Sequence, residues 1–525
     1  AGLDLPKSVD WSDPAYRRWI VWSYQQRMAV WDLNNEVTRR AGGPDCLWIG
    51  MNGGEVVAQS KRLRDDRAIC DRTPIFMLDS QYRHEDAGFQ ANGDSGKRLH
   101  GLLGWQALIP ESTAMYDAGT PTFRLGSKPE AEARMWAVEG FAGGIQPWWH
   151  HIGSVHEDRR QYATAEPLFR WHAEQEQYLV NREPVATVGV LWSQRSVDFH
   201  GQDQPEVRSL LPYRGFADAL IRARIPYLPV NADHIGRDAP GLSAIVVPNV
   251  GVLTDEQCAA LRAFAEAGGG LVVTGESGLY DEWGDRREDF ALADLLGVHA
   301  SGERLGERLS ERLGGGGAVA NWETYDNHSY LRIEERELVD GLGDTDLLPF
   351  GGQLEVVRTD GRVALTLVPP FPIYPPEKSW MAEPRTDVPA VVLGSSRVAY
   401  LAADLDRLYG QYHHPDHGRL LANLVRWAAR DDIPLSVEGS GVLDCHLYRQ
   451  GGTTIVHLVN LDQGGAWQGR LQEFTAAGPF TVRLRAAGSR AAFLVGGGEA
   501  EVSDQDGWIT VEVARITDHE VLVIR

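Results

Sequence analysis

Between residues 46 and 153 short apolar runs alternate with helix-forming segments, and this alternation limits the chain's fold more than any other feature. "CLWIGMN" (46–52) and "TPIFMLDSQ" (73–81) read as buried strands. A Gly-rich loop, a helix near residues 94–108, a strand "TPTFRLG" (120–126), a helix "KPEAEARMWAVEGFAGG" (128–144) and a last strand "IQPWWHHIG" (145–153) follow. Strands joined by helices run parallel, so this region is expected to form an α/β layer. Its ligand site should then lie at the C-terminal ends of the strands. Upstream, "SDPAYRRWIVWSYQQRMAVWDLNNEVTRR" predicts a helix. Ser12 or Asp13 caps it, Pro14 takes the first helical position, and "AGGPD" stops it.

A second pattern begins near residue 184. "TVGVLWS", "IPYLPV", "LSAIVVPN" and "GLVVTGE" are strands separated by the helices "EVRSLLPYRGFADALIRA" and "TDEQCAALRAFAEAGG", a doubly wound order. "GERLGERLSERLGGGG" predicts a flexible loop, and "PPFPIYPPEKSW" must be extended and stiff. From about residue 437 short alternating strands ("TTIVHLVNL", "FTVRLRA", "WITVEVA", "HEVLVIR") predict a small β-sandwich. The domains are therefore placed at 1–182, 183–435 and 436–525.

The net charge of −22 repels phosphate backbones, so nucleic acid is an unfavourable partner. No run approaches the roughly 18 apolar residues of a membrane span. The cysteines (Cys46, Cys70, Cys258, Cys445) never fall at CxxC spacing, which argues against zinc knuckles. They fit a reducing compartment, and the cytoplasm is the expected location. Tryptophan is abundant, with 17 residues, and "PWWHHIG" sets two Trp beside two His at a strand's end. Large aromatic rings either fill cores or stack on ligands.

The stretches "VGVLWSQRSVDFHG", "ALIRARIPYLPVNADHI", "LSAIVVPNVGVLTDEQCAALRAFAEAGGGLVVTGESGLYDEWG" and "LADLLGVHASG" closely resemble the trimerisation domain of family-42-type β-galactosidases. "DLPKSVDWSDPAYRRWIVWSYQQRMAVWDLNNEV", "HSYLR", "PPFPIYPPEKSW" and "GRLLANLVRWAA" resemble a neighbouring group of predicted glycosidases that includes bacterial α-L-fucosidases. The resemblance implies the C-terminal part of a (β/α)8 barrel, a flavodoxin- or amidotransferase-like trimerisation domain and a C-terminal antiparallel β-sandwich. It implies a homotrimer or higher homo-oligomer acting on a small carbohydrate, of α-L-fucoside or β-galactoside type, without a cofactor or a metal. In those families the segment like "DLPKSVDW" follows the fourth barrel strand. The upstream half-barrel, with the aspartate expected at the end of that strand, has no counterpart here. The expectation is a fragment, a split enzyme completed by an upstream polypeptide, or a non-catalytic binding or scaffold relative.

Hydrolysis of a glycoside needs two carboxyl groups flanking the bond. Asp79, ending "PIFMLDS", is the first candidate, and it could equally cap the next turn. Glu85, in "YRHED", is the second, and it could equally be a solvated loop carboxylate. Glu139, inside a helix, reads as structural. Candidates for sugar binding are Asn52, Gln81, Arg83, Trp148, Trp149, His150 and His151. Strand alternation turns only one Trp and one His of each pair toward the cleft. A metal on His150, His151 and His156 is the less favoured reading. "HHPDH" reads as the approach to a helix capped by Asp416. "GESG" (275–278) lacks the glycine at 279 that a nucleophile elbow requires, since Leu279 stands there. Phe371, Tyr374 and Trp380 are the expected contacts of a loop that closes the cleft of an adjacent subunit.

Overall fold

The computed structural model describes residues 5–83, 87–118, 121–152, 157–306, 329–371, 375–463 and 469–525. It is a mixed α/β chain in two compact units. The first comprises residues 1–186, 224–229 and 434–525, and the second 187–223 and 230–433.

The first unit opens with α1 (Pro14–Gly42), capped by the Asp13 side chain on the Ala15 N–H. Four parallel strands follow in sequential order: β1 (Met51–Asn52), β2 (Met77–Leu78), β3 (Pro110–Ala114) and β4 (Gln146–His150). Between and after them run α2 (Gln90–Leu103), α3 (Glu130–Ala142) and α4 (Arg160–Leu179). Met28 and Trp31, one turn apart on α1, pack with Ile69, Phe76, Leu78, Leu99, Ile109 and Ile145. That core fixes the sheet against its helices.

Two segments depart from the expected pattern. The helix expected at 94–108 spans Gln90–Leu103 and stops at Gly104, whose φ of 93° favours glycine. The third parallel strand is "PESTA", not "TPTFRLG". Residues Phe123–Ser127 instead form an antiparallel ribbon with Tyr116–Asp117, and Phe123 and Leu125 are exposed. Apolar periodicity points to the wrong segment because β3 buries polar residues that are hydrogen-bonded internally.

The same unit holds two antiparallel sheets. One runs Leu435–Glu438, Phe480–Arg485, Trp508–Val513, Ser503–Gln505. The other contains Leu443–Gln450, Thr453–Asn460 and His519–Ile524. Leu443, Val456, Phe480, Val482, Val511 and Leu522 share one core, so the two sheets form a sandwich. α3 is buried on nearly every side. It has no polar stripe because the sandwich covers the flank a surface helix would show to water. Arg134 on α3 binds Asp518 at 2.5 Å, and the Tyr448 hydroxyl donates to the Ala142 carbonyl.

In the second unit Val398–Leu401, Gly270–Thr274, Ala244–Val247 and Val188–Trp192 are parallel neighbours, flanked by antiparallel strands on one side. The helix Asp255–Glu266 starts with a capping box of Thr254 and Gln257. The helix after "HHPDH" spans Pro415–Ala428. His414 holds its cap position and Asp416 lies in the first turn, which corrects the expected cap. Most of "GERLGERLSERLGGGG", from residue 307, lies outside the described residues, as does Tyr374. Phe371 stacks on Tyr330 at 6.0 Å, and Trp380 is exposed. Among the described residues no helix is long and apolar enough to cross a membrane.

Candidate functional site on the parallel strands

Side chains alternate across a strand, so the register of β3 and β4 decides which residues meet. Ser112 lies opposite Trp148 and Ala114 opposite His150. Asp79, one residue past β2, reaches the same face. The Ser112 hydroxyl donates to Asp79 Oδ1 at 2.6 Å, and Gln81 Nε2 donates to the same oxygen at 2.8 Å. Tyr116 donates to Gln81 Oε1 at 2.6 Å and lies 3.4 Å from His150 Nδ1. Trp148 stacks on His150 with centroids 5.7 Å apart and an interplanar angle of 20°. Asp79, Gln81, Ser112, Tyr116, His150 and Trp148 thus form a continuous row. Trp148 ends it 44% exposed, an aromatic face turned to solvent.

Burial pushes the His150 imidazole below its ordinary range, while the Asp79 carboxylate pulls it up and Arg124 pushes it down again. Lys128 donates to the Gln81 carbonyl at 3.3 Å, and burial pushes its ammonium down to about 8. The Trp136 indole holds the Ser80 carbonyl at 3.0 Å, anchoring the turn beside Asp79 to α3.

The opposite face of the sheet is built differently. Glu111 is fully buried and accepts from Asn92 Nδ2 at 2.9 Å. Burial pushes its carboxyl up to about 8, so it is mainly protonated at neutral pH. Trp149 packs edge-on against Tyr162 of α4 at 5.0 Å, and His151 Nε2 lies 3.3 Å from the Tyr162 hydroxyl. Trp148 and His150 therefore belong to the row, and Trp149 and His151 to the α4 side. Arg83 is buried against Glu132 at 3.1 Å, lies over the Phe89 ring and donates to the Gly469 carbonyl. Asn52 is buried, its amide bonded to the Gly50 carbonyl at 3.0 Å and its own carbonyl to the Asp79 N–H at 2.6 Å. Its backbone, not its side chain, meets Asp79. Glu85 and His156 lie outside the described residues.

Ser112, Tyr116, Lys128 and Glu111 escape the sequence reading. The signal for the first was present: "PESTAMY" alternates polar and small residues at period two. It carries no apolar run, so it does not read as a strand. Glu276, at the "GESG" turn of the second unit, bonds His200 at 2.8 Å, Tyr280 at 2.7 Å and Arg304 at 2.7 Å. It is locked in a network, and Ser277, which would hold the elbow's nucleophile position, is fully buried with its hydroxyl donating to the Thr274 carbonyl at 2.7 Å.

The fold is that of β-galactosidase-like glycoside hydrolase structures. An α-L-fucosidase isoenzyme from Paenibacillus thiaminolyticus matches with a TM-score of 0.65 at 17% identity, over 89% of this chain and 72% of that one. A β-galactosidase from Bacillus circulans matches with 0.68 at 14% identity, over 97% and 68%. A β-galactosidase from Halorubrum lacusprofundi matches with 0.61 at 15% identity, over 100% and 70%. No family model and no curated protein sequence matches the chain.

Proposed function

We propose that the chain is a glycoside hydrolase, or one part of one, acting on a neutral α-L-fucoside or β-galactoside type of substrate at the C-terminal ends of β1–β4. One observation carries the reading: a strand-end carboxylate, Asp79, is oriented by two donors and continues into an exposed Trp148–His150 wall. Trp148 supplies a flat apolar face for a sugar ring. His150, Tyr116 and Gln81 supply polar atoms for hydroxyl groups. Asp79 serves as one of the two carboxyl groups that glycoside hydrolysis needs. Glu85, six residues further along the sequence, is a candidate for the other.

The row contributes one carboxylate among the described residues, which favours completion of the site by further strands. Sheet geometry supports this. β1 and β4 are the two edges of the parallel sheet, and among the described residues neither pairs with another strand outside it. Leu47, Ile49 and Met51 are exposed along the β1 edge, and Trp22, Val30 and Leu33 along α1. In a closed (β/α)8 barrel both edges are paired and such residues are covered. We read β1–β4 as the C-terminal part of a barrel completed by an upstream polypeptide, and the doubly wound unit as the trimerisation module of a homo-oligomer. The same single carboxylate supports a second reading, a non-catalytic carbohydrate-binding subunit.

The test is release of the aryl group from α-L-fucoside, β-galactoside, β-glucoside and α-L-arabinoside by the intact assembly, its size checked by light scattering. Asp79→Asn keeps an oxygen that accepts from Ser112 and Gln81, so the fold is retained while the carboxylate is lost. Turnover of one glycoside, falling about 10²- to 10⁴-fold in Asp79→Asn, is the expected result. Absence of turnover in an intact trimer would leave the binding reading.

A further inference from the structure

We infer that Glu139, Asp444 and His446 form a buried site for a divalent transition-metal cation, zinc by preference, which pins α3 to the strand Leu443–Gln450. This goes beyond the glycosidase reading and does not depend on it. Asp444 and His446 stand two residues apart on one strand and so face the same way. Glu139 comes to meet them from the middle of α3. All three are buried, with Glu139 at 0% exposure and the other two at 3%.

The side chains are short of partners. Neither carboxylate oxygen of Glu139 makes a hydrogen bond, nor does His446 Nδ1, and His446 Nε2 has only the Asp444 carboxylate, 3.2 Å away. Buried polar atoms are normally satisfied, and a buried carboxyl with neither donor nor acceptor is costly in either protonation state. The distances fit a shared cation. His446 Nε2 lies 3.2 Å from Asp444 Oδ2 and 4.0 Å from Glu139 Oε2, and one ligand atom from each residue falls within 4.8 Å of the others. A tetrahedral ion with bonds of about 2.0–2.1 Å sets its ligand atoms about 3.3 Å apart. The His–Asp pair already has that spacing, and Glu139 Oε2 stands about 0.7 Å too far from His446 Nε2.

Two neighbours shape the site. A Cβ at position 93 would lie 2.9 Å from Glu139 Oε2 and 3.4 Å from His446 Cε1, so Gly93 keeps room against the cluster. Lys97 is the nearby cation, and its ammonium lies over the Tyr227 ring, 3.6 Å from the centroid. The donor set selects the ion. Calcium takes six to eight oxygens and magnesium keeps several waters, whereas one imidazole nitrogen with two carboxylates suits zinc or manganese. Zinc binds such sites more tightly in the Irving–Williams order.

The experiment uses the full chain, stripped with chelator, loaded with zinc, desalted and analysed for bound metal alongside its melting temperature. One retained zinc per chain and a raised Tm are expected. His446→Gln should lose both responses with its circular dichroism unchanged, and Lys97→Met should keep them. If His446→Gln fails to fold, Glu139→Gln preserves shape, removes a charged ligand and gives the same readout. The proposal is overturned if the wild type retains no zinc, or if the folded variants retain as much as it does. Loss of folding in Lys97→Met, with no zinc on the wild type, would assign the cluster to a charge network instead.

Discussion

His150 shows how one side chain reports on the whole row. Burial holds its imidazole below the usual range, and Asp79 opposes that shift. Replacing Asp79 with Asn removes the attraction that favours imidazolium, so the His150 pKa should fall further. Imidazole NMR titration of wild type and Asp79→Asn measures this, and a rise in the variant would separate the two residues. Glu111, behind the row, titrates in the opposite sense. Burial raises its folded pKa to about 8 from the ordinary 4.5. The stability it contributes is complete below the unfolded pKa and is lost as pH climbs toward the folded one. Relative to Glu111→Gln, the wild type should lose about 3 kcal/mol between pH 4.5 and pH 7. Urea unfolding at both values gives the difference, and a pH-independent gap would show that Glu111 ionises freely.

At the scale of the element, α3 organises the unit. Glu132 accepts from Arg83 at 3.1 Å and from the Leu471 N–H at 2.8 Å, so one carboxylate ties the loop after β2 to the sandwich. Glu132→Ala leaves the Arg83 charge buried without its anion, and breaking such a pair costs about 3–5 kcal/mol. A correspondingly lower denaturant midpoint is expected, and a loss of only a few tenths would mean Arg83 finds water. Arg83 also shows where sequence stops being informative. An arginine two residues beyond a strand-end Gln reads as a ligand-binding group, and only the tertiary partner, 49 residues on, reveals a clamp. α1, with its Asp13 cap and Pro14, is legible from local chemistry, as is the α3 segment. β3 is not, because its pattern is polar and the network that makes burial tolerable joins residues far apart. The same holds within the site. Asp79, Trp148 and His150 stand out at strand ends, whereas Ser112 and Tyr116 have meaning only once β3 is in register with β4.

For the whole molecule, the decisive feature is that the first compact unit is assembled from both ends of the chain. The apolar strands Val188–Trp192, Ala244–Val247, Gly270–Thr274 and Val398–Leu401 find their partners within 187–433. Residues 1–186 do not have that independence. α3 and the segment after α4 present groups that only 434–525 can satisfy. Arg182 is buried with no carboxylate bonded to it, and it donates to the Phe141 carbonyl at 2.6 Å and to His457 at 2.5 Å while lying over Tyr448. Arg134, partly exposed, also pairs with Asp518. A buried guanidinium stripped of these acceptors is far costlier than the modest net value of each bond suggests. Expressed alone, 187–433 should therefore unfold cooperatively and show a native near-UV circular dichroism signal. Residues 1–186 alone should lack such a signal, and co-expression with 434–525 should restore it. A cooperative transition in 1–186 by itself would mean that the four parallel strands and their helices carry enough core to fold unaided, and that the sandwich is an attachment to them instead of half of their interior.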